Sequence, residues 1–201
     1  MSEHAGTDRG AQGHEAHRRD ARDTRVRIQR VALELFAEQG YEATSLREIA
    51  ERLDVTKAAL YYHFKSKEDI VASLVEDYFG QLDELAAWAA TQPRTPQTSA
   101  AVIGRYVRIT ADGHEVFRML HQNQAAVSSL SAKPRGDVFR ERMSQLVDVI
   151  AGPDASLEER LRVTMILGGA SIGWMFFDNQ VDDRDKLIAA ILDVVTEFTG
   201  A

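Results

Sequence analysis

Cysteine is absent from the 201 residues, which excludes a disulfide scaffold, a cysteine-ligated zinc finger and a thiol nucleophile. No apolar run approaches the roughly 18–20 residues that a membrane span needs. The start, Met1-Ser2-Glu3-His4-Ala5-Gly6, is polar and has no hydrophobic signal-peptide core. A cytoplasmic protein without a membrane partner is therefore the expectation. Proline is scarce, with four in the chain, and Pro93, Pro96, Pro134 and Pro153 all fall where helical periodicity breaks. No alternating strand pattern of convincing length occurs, and no internal repeat. What is present is ordinary: hydrophobic residues make up 44% and charged residues 27%, enough to build a core. The length suits one large domain or two small ones.

The net charge of −7 conceals an asymmetry. Residues 18–67 carry a net +3, whereas residues 68–201 carry a net −8. A locally basic segment suits nucleic acid even in an acidic protein, because the patch that faces the phosphates decides. Alone, so small an excess is a weak indication.

Residues 1–23 offer almost nothing to bury and read as a disordered arm, from which Arg18, Arg19, Arg22 and Arg25 could reach phosphates. From Thr24 a helical period sets in, with Ile28, Val31, Ala32, Leu35 and Phe36 on one stripe and Gly40 placed to end it. Ser45 and Glu48 have capping-box spacing before a short helix carrying Leu46, Ile49, Ala50 and Leu53. Asp54-Val55 interrupts it, Thr56 can cap a helix over 57–63, and Ser66 with Asp69 marks another start. A long helix over 67–91 follows, then helices near 97–111, 114–121, 122–131 and 136–151. Beyond the break at Gly152-Pro153, Ser156 and Glu159 open a helix to about Phe177, and Asp182 or Asp183 opens a last one to about Phe198. The fold class is all-α.

Residues 46–64 have the length and layout of a helix-turn-helix, whose second helix lies in a major groove. In that second helix Leu60 and Phe64 are four apart and can pack inward. Thr56, Lys57, Ala59, Tyr62 and His63 are left largely outward. A hydroxyl, a cation, a methyl and ring donors suit base edges and phosphates, and Lys65 and Lys67 follow where ammonium groups can hold a DNA backbone.

The stretch Arg27 to Tyr78 resembles the N-terminal domain of the TetR family of transcriptional regulators. The matches are Ala32-Leu33-Glu34-Leu35-Phe36, Gly40-Tyr41, Ala43-Thr44-Ser45-Leu46-Arg47-Glu48-Ile49-Ala50 and Thr56-Lys57-Ala58-Ala59-Leu60-Tyr61-Tyr62-His63-Phe64-Lys65-Ser66-Lys67-Glu68. The resemblance implies a homodimer that binds double-stranded operator DNA through Thr44, Arg47, Thr56, Lys57, Ala59, Tyr61, Tyr62, His63 and Lys67. Among these it assigns Thr44, Tyr61 and Lys67 mostly to phosphates, and Arg47, Lys57, Ala59 and Tyr62 toward base edges. The family often has glycine at the positions of Asp54 or Ala58, and these departures leave base preference open. The implied organisation is an arm over 1–23, a DNA-binding domain over 24–67 and a helical ligand-binding and dimerisation domain over 68–201. The implied function is a repressor released by a small-molecule effector.

In the C-terminal part, glycines inside the apolar run 165–177 need a reason, since each costs about 1 kcal/mol against alanine; close approach of another helix is the simplest. The last helix offers more apolar surface than one neighbour requires. Gly169, Gly173, Ile188, Ile191, Leu192 and Val195 are the candidate dimer interface. Tyr78, Trp88, Tyr106, Phe117, Met119, His121, Asn123, Trp174 and Phe177 are candidate effector contacts. Catalysis has little to stand on. His114 and His121 are seven apart with no His-Glu-x-x-His, and no nucleophile elbow, P-loop or dinucleotide fingerprint occurs. His4, His14, His17 and His114 supply no closed metal geometry. No enzyme, cofactor or metal is expected. A DNA-binding protein that answers to no ligand is the alternative.

Overall fold

The computed structural model describes residues 8–122, 135–177, 180–181 and 183–199, and its regular elements among them are all α-helices. They fall into two compact units, Met1–Leu74 and Val75–Ala201.

In the first unit, α1 spans Asp8–Gln39. Its apolar stripe is the one read from the sequence: Ile28, Val31, Ala32, Leu35 and Phe36 are all buried. The helix starts at Asp8, so residues 8–23, expected to be part of a disordered arm, are helical, while residues 1–7 lie outside the described residues. Alanine, glutamate and arginine are good helix formers, and adding residues to an existing helix avoids the cost of nucleation. Gly40 ends α1 with φ +92° and donates its N–H to Phe36 O at 3.1 Å, a conformation that only glycine adopts cheaply.

Helix α2 is Leu46–Arg52, opened by a complete capping box between Ser45 and Glu48. Asp54 follows in the left-handed region at φ +54°, a conformation that glycine adopts without strain. Helix α3 is Lys57–His63, with Thr56 Oγ1 accepting from Ala59 N at 3.1 Å. Leu60 and Phe64 are buried beneath it. Ser66 Oγ accepts from Asp69 N and Asp69 Oδ2 from Lys65 N, both at 3.1 Å, and so start α4, Lys67–Ala90. The boundary between units lies inside α4 and not at its first residue. Ile70 and Val71 are wholly buried, and Gln29 Nε2 donates to Ser73 Oγ at 2.9 Å, so these first turns of α4 belong to the N-terminal core.

The second unit contains the rest of α4, then α5 (Pro96–Gln122), α6 (Arg135–Ala151), α7 (Leu157–Phe177) and α8 (Arg184–Thr199). Helix α5 packs on α7 and α8, α6 on α7, and α7 on α8. Leu82, Val102, Tyr106, Val107, Leu146 and Leu167 lie at the centre of the core. Helix α5 is continuous where the sequence suggested a break near residue 112. Gly113 sits inside it because the Tyr78 ring occupies the space a side chain would need: a Cβ there would stand 2.5 Å from Tyr78 Cδ2. The helix expected over 122–131 lies, past Gln122, outside the described residues. Ser156 and Glu159 cap α7 as their spacing predicts, and Asp183 Oδ1 accepts from Asp185 N at 3.0 Å to open α8.

Candidate nucleic-acid interface

The seven residues of α3 divide sharply. Leu60 is buried, whereas Lys57, Ala58, Ala59, Tyr61 and Tyr62 are exposed. Tyr62 is 77% exposed and Tyr61 41%. A large aromatic left in water on a short helix has no folding role to explain it. The Lys57 ammonium lies 5.5 Å from the Tyr61 ring and Tyr62 meets His63 edge-on at 5.2 Å. His63 is half-buried, and burial, then the nearby Arg25 charge, hold its imidazole below the ordinary histidine range. The Arg25 guanidinium stacks over Phe64 at 4.5 Å, so Arg25 packs α1 against the end of α3.

On α2, the Arg47 side chain is 76% exposed and pairs with Glu51 at 2.7 Å. Hydrogen bonding and then Coulomb attraction to Glu51 raise the guanidinium's proton affinity further. The pair is a solvated i,i+4 contact of a type worth a few tenths of a kcal/mol, so Arg47 is available to another anion.

Two residues assigned to phosphates point inward instead. Thr44 is buried to 2%; its hydroxyl donates to Gly40 O at 2.8 Å and accepts from Gln39 Nε2 at 3.3 Å. Lys67 Nζ donates to Tyr41 O at 2.8 Å and reaches Glu42 O and Thr44 O, both at 3.4 Å. Neither contact is visible in the sequence, because each links the turn after α1 to a partner set only by the folded backbone.

Of the described candidate effector residues, Tyr78, Trp88 and Tyr106 share one hydrophobic core and Trp174 lies in another cluster. Tyr78 and Met119 are buried, and burial pushes the Tyr78 phenol up. Trp88 is half-buried, with the Arg105 guanidinium 3.6 Å from its ring centre. Tyr106 is fully buried; its hydroxyl lies 2.6 Å from Ser171 Oγ and burial pushes its pKa up to about 12. Trp174 packs beside the His114 ring at 5.5 Å. Its indole N–H is buried with no hydrogen-bond partner among the described residues. Phe177 is half exposed and lines a separate groove. The side chains of Phe117 and His121, and the whole of Asn123, lie outside the described residues. Among the described residues, no group of three or more metal-ligating side chains comes together.

The candidate dimer residues lie on α7 and α8. Val195 is buried, and Ile188, Ile191 and Leu192 pack against the unit's own core. A Cβ on Gly173 would stand 3.3 Å from Ile191 Cδ1, so its close approach is to α8 of the same subunit. Gly169 faces open space. The residues left in water are others: Leu161, Met165, Ile172, Met175 and Phe176 on α7 and Val194 on α8, each more than half exposed. Met165, Gly169, Gly173, Ile191 and Val194 help to line an apolar groove of about 480 Å³. The sequence signal was there in the spacing of 161, 165, 172 and 176, masked by an α7 that is apolar nearly all round.

An all-α chain whose N-terminal unit sets a capped, outward-facing helix behind a tight turn is a helix-turn-helix protein. The model for bacterial regulatory proteins of the tetR family matches residues 28–74. With this match, residues 28–74 carry the DNA-binding domain of the tetR family of bacterial regulatory proteins. It is 43% identical over 68 residues, 34% of its length, to the HTH-type transcriptional regulator AcrR of Shigella flexneri. It is 44% identical over 48 residues, 24% of its length, to the HTH-type negative transcriptional regulator IcaR of the biofilm operon icaADBC in Staphylococcus epidermidis. These matches span only 32% and 26% of the two relatives. The fold likeness is wider. A transcriptional regulator from Aquifex aeolicus VF5, described as of the TerR/AcrR family, superposes with a TM-score of 0.66 at 21% identity, over 86% of this chain and 98% of that one. Among the described residues no helix is long and apolar enough to cross a membrane.

Proposed function

We propose that the protein is a sequence-specific DNA-binding transcriptional regulator, a homodimeric repressor released from its operator by a small-molecule effector. The observation that carries the DNA reading is the outer face of α3: Lys57, Ala59, Tyr61 and Tyr62 stand in water, and Arg47 of the preceding helix α2 is exposed as well. A short helix bearing a cation, a methyl and phenols fits a major groove, with Lys57, Ala59, Tyr62 and Arg47 toward base edges and Tyr61 toward phosphate. Thr56 acts chiefly as the cap of α3. Repression is the sense printed in the name of the Staphylococcus relative.

Homodimerisation is supported by the exposed apolar strip of α7 and α8, since contiguous apolar surface is characteristic of interaction sites. Effector binding is supported by the Trp174 N–H, which meets no acceptor among the described residues, because a buried donor without one costs about 1–3 kcal/mol. A ligand bearing an acceptor would satisfy it. The family is one of regulators, and no catalytic role is proposed.

The test is selection of a duplex from random DNA, followed by titration at several salt concentrations. A pseudo-palindromic site with half-sites about 34–36 Å apart supports the reading. Lys57→Ala and Arg47→Ala should change the selected bases, while Tyr61→Phe should leave them alone. Failure to bind any duplex at low ionic strength refutes it. For the effector, a metabolite panel is screened by thermal shift, where a ligand of the folded state raises Tm. The effector reading requires that a hit also loosens the operator complex; a hit that leaves it intact favours a regulator without ligand gating.

A further inference from the structure

Helix α1 runs back from Gln39 to Asp8, well past Ile28, where its buried stripe begins. Among the described side chains from 20 to 27 none is buried, so this part of the helix adds little to the core. Its register is nevertheless the core's. Phe36, Ala32 and Gln29 are buried, and stepping back along the same stripe by alternating fours and threes reaches Arg25, Arg22 and Arg18. Positions so spaced share one face of a helix. Asp20 stands two residues from Arg22, and Asp23 two from Arg25. At about 3.6 residues per turn, that spacing turns both acids toward the other side. The face that packs inward from residue 28 onward is thus continued by arginines.

Arg25 fixes where this face turns. Its guanidinium lies 4.5 Å from the centre of the Phe64 ring, and Phe64 is the C-cap of α3. At His63, the last residue of α3, burial first and the Arg25 charge second oppose protonation. The arginine stripe therefore starts at the end of the outward helix. From there it runs about 10 Å to position 18, at about 1.5 Å per residue. Arg22 is exposed. Arginines one turn apart suit a polyanion, because the guanidinium fork matches phosphate oxygens and keeps its charge. Resting on the DNA-binding reading above, we infer that Arg18 and Arg22 hold phosphates of the same duplex just outside the stretch that α3 enters, so that the start of α1 is a second DNA contact of each subunit. Arg25, stacked on Phe64, sets the angle of that contact.

Phosphate contacts carry no sequence information, so this one moves salt dependence and not base preference. The experiment compares full-length Arg22→Gln and the double variant Arg18→Gln, Arg22→Gln with Arg27→Gln. Arg27 is exposed and, two residues from Arg25, lies off the stripe, so its loss removes charge without removing the contact. Each protein is titrated with the selected operator at several salt concentrations, and its hydroxyl-radical footprint is read on both strands. Per subunit, the slope of log K against log salt should fall by about 0.9 in Arg22→Gln and about 1.8 in the double variant, and hold in Arg27→Gln. The double variant should select the same bases and lose protection of the sugars flanking each half-site. Glutamine forms helix nearly as well as arginine, so the free proteins should share one circular dichroism spectrum. Wild-type slopes and footprints in both stripe variants overturn the inference. An equal fall in Arg27→Gln also overturns it, because the arginines would then act as general charge. Should the double variant fail to fold, Arg22→Gln decides alone. Wild type that binds no duplex sinks the functional reading, whereas wild type that binds while the stripe variants keep its slope sinks this inference alone.

Discussion

Arg47 and Glu51 lie one turn apart on α2, joined at 2.7 Å with both side chains in solvent. Any anion that takes Arg47 must first displace Glu51, and an exposed pair of this kind is worth only a few tenths of a kcal/mol. Glu51→Gln should therefore tighten operator binding by about twofold at low salt, through release of the pair and removal of a charge that phosphates repel. Fluorescence anisotropy at 50 mM and 200 mM salt measures it, and weaker binding would place Glu51 in a direct contact with DNA. His63 supports a pH prediction. Its folded-state pKa is lowered, by burial first and Arg25 second, so below the ordinary histidine value of about 6.5 the unfolded chain binds a proton that the folded one resists. The His63 contribution is therefore complete above that value and is lost as pH falls through it. Denaturation midpoints measured between pH 7.5 and 5.5 should fall less for His63→Gln than for wild type, and equal falls would disprove the coupling.

At the scale of elements, local chemistry was largely legible. Capping pairs such as Ser45 with Glu48 and Ser156 with Glu159 form the bonds that their spacing predicts, because a cap depends on neighbours three residues away. What escaped the sequence depended on distant partners. Gly113 reads as a break until the Tyr78 ring is placed against it, and the lone acceptors for Lys67 exist only once the turn after Gly40 is folded. Two glycine-related substitutions separate these cases. Gly113→Ala gains about 1 kcal/mol of helix propensity but puts a methyl against an aromatic ring, so a net loss of about 1–3 kcal/mol is expected. Asp54→Gly, at φ +54°, relieves a left-handed conformation and should stabilise by about 0.5–1 kcal/mol. Urea unfolding monitored by circular dichroism reads both. Stabilisation by Gly113→Ala would mean that the Tyr78 ring yields freely.

For the whole molecule, the charge asymmetry and the apolar strip bear on the same question. A chain of net −7 gains no general attraction to DNA, so affinity must come from a small patch presented more than once. On the proposed homodimer, the exposed apolar strip on α7 and α8 is the surface for pairing. Met165 is 74% exposed, Ile172 53% and Phe176 61%, an arrangement that a solitary subunit has no reason to keep. Gly169 between them meets nothing within 4 Å, leaving room for a partner helix to approach closely. The double substitution Met165→Glu, Ile172→Glu places two like charges in that strip of each subunit. It should yield a folded monomer in sedimentation velocity, with a Tm set only by the subunit's own core. Because log K falls with log salt in proportion to the phosphates neutralised, the monomer's slope on operator DNA should be about half that of wild type, with affinity lower by at least a hundredfold. A variant that remains dimeric would move the pairing surface elsewhere. A monomer with the full wild-type slope would mean that one helix-turn-helix makes all the phosphate contacts, and the operator would then need no second half-site.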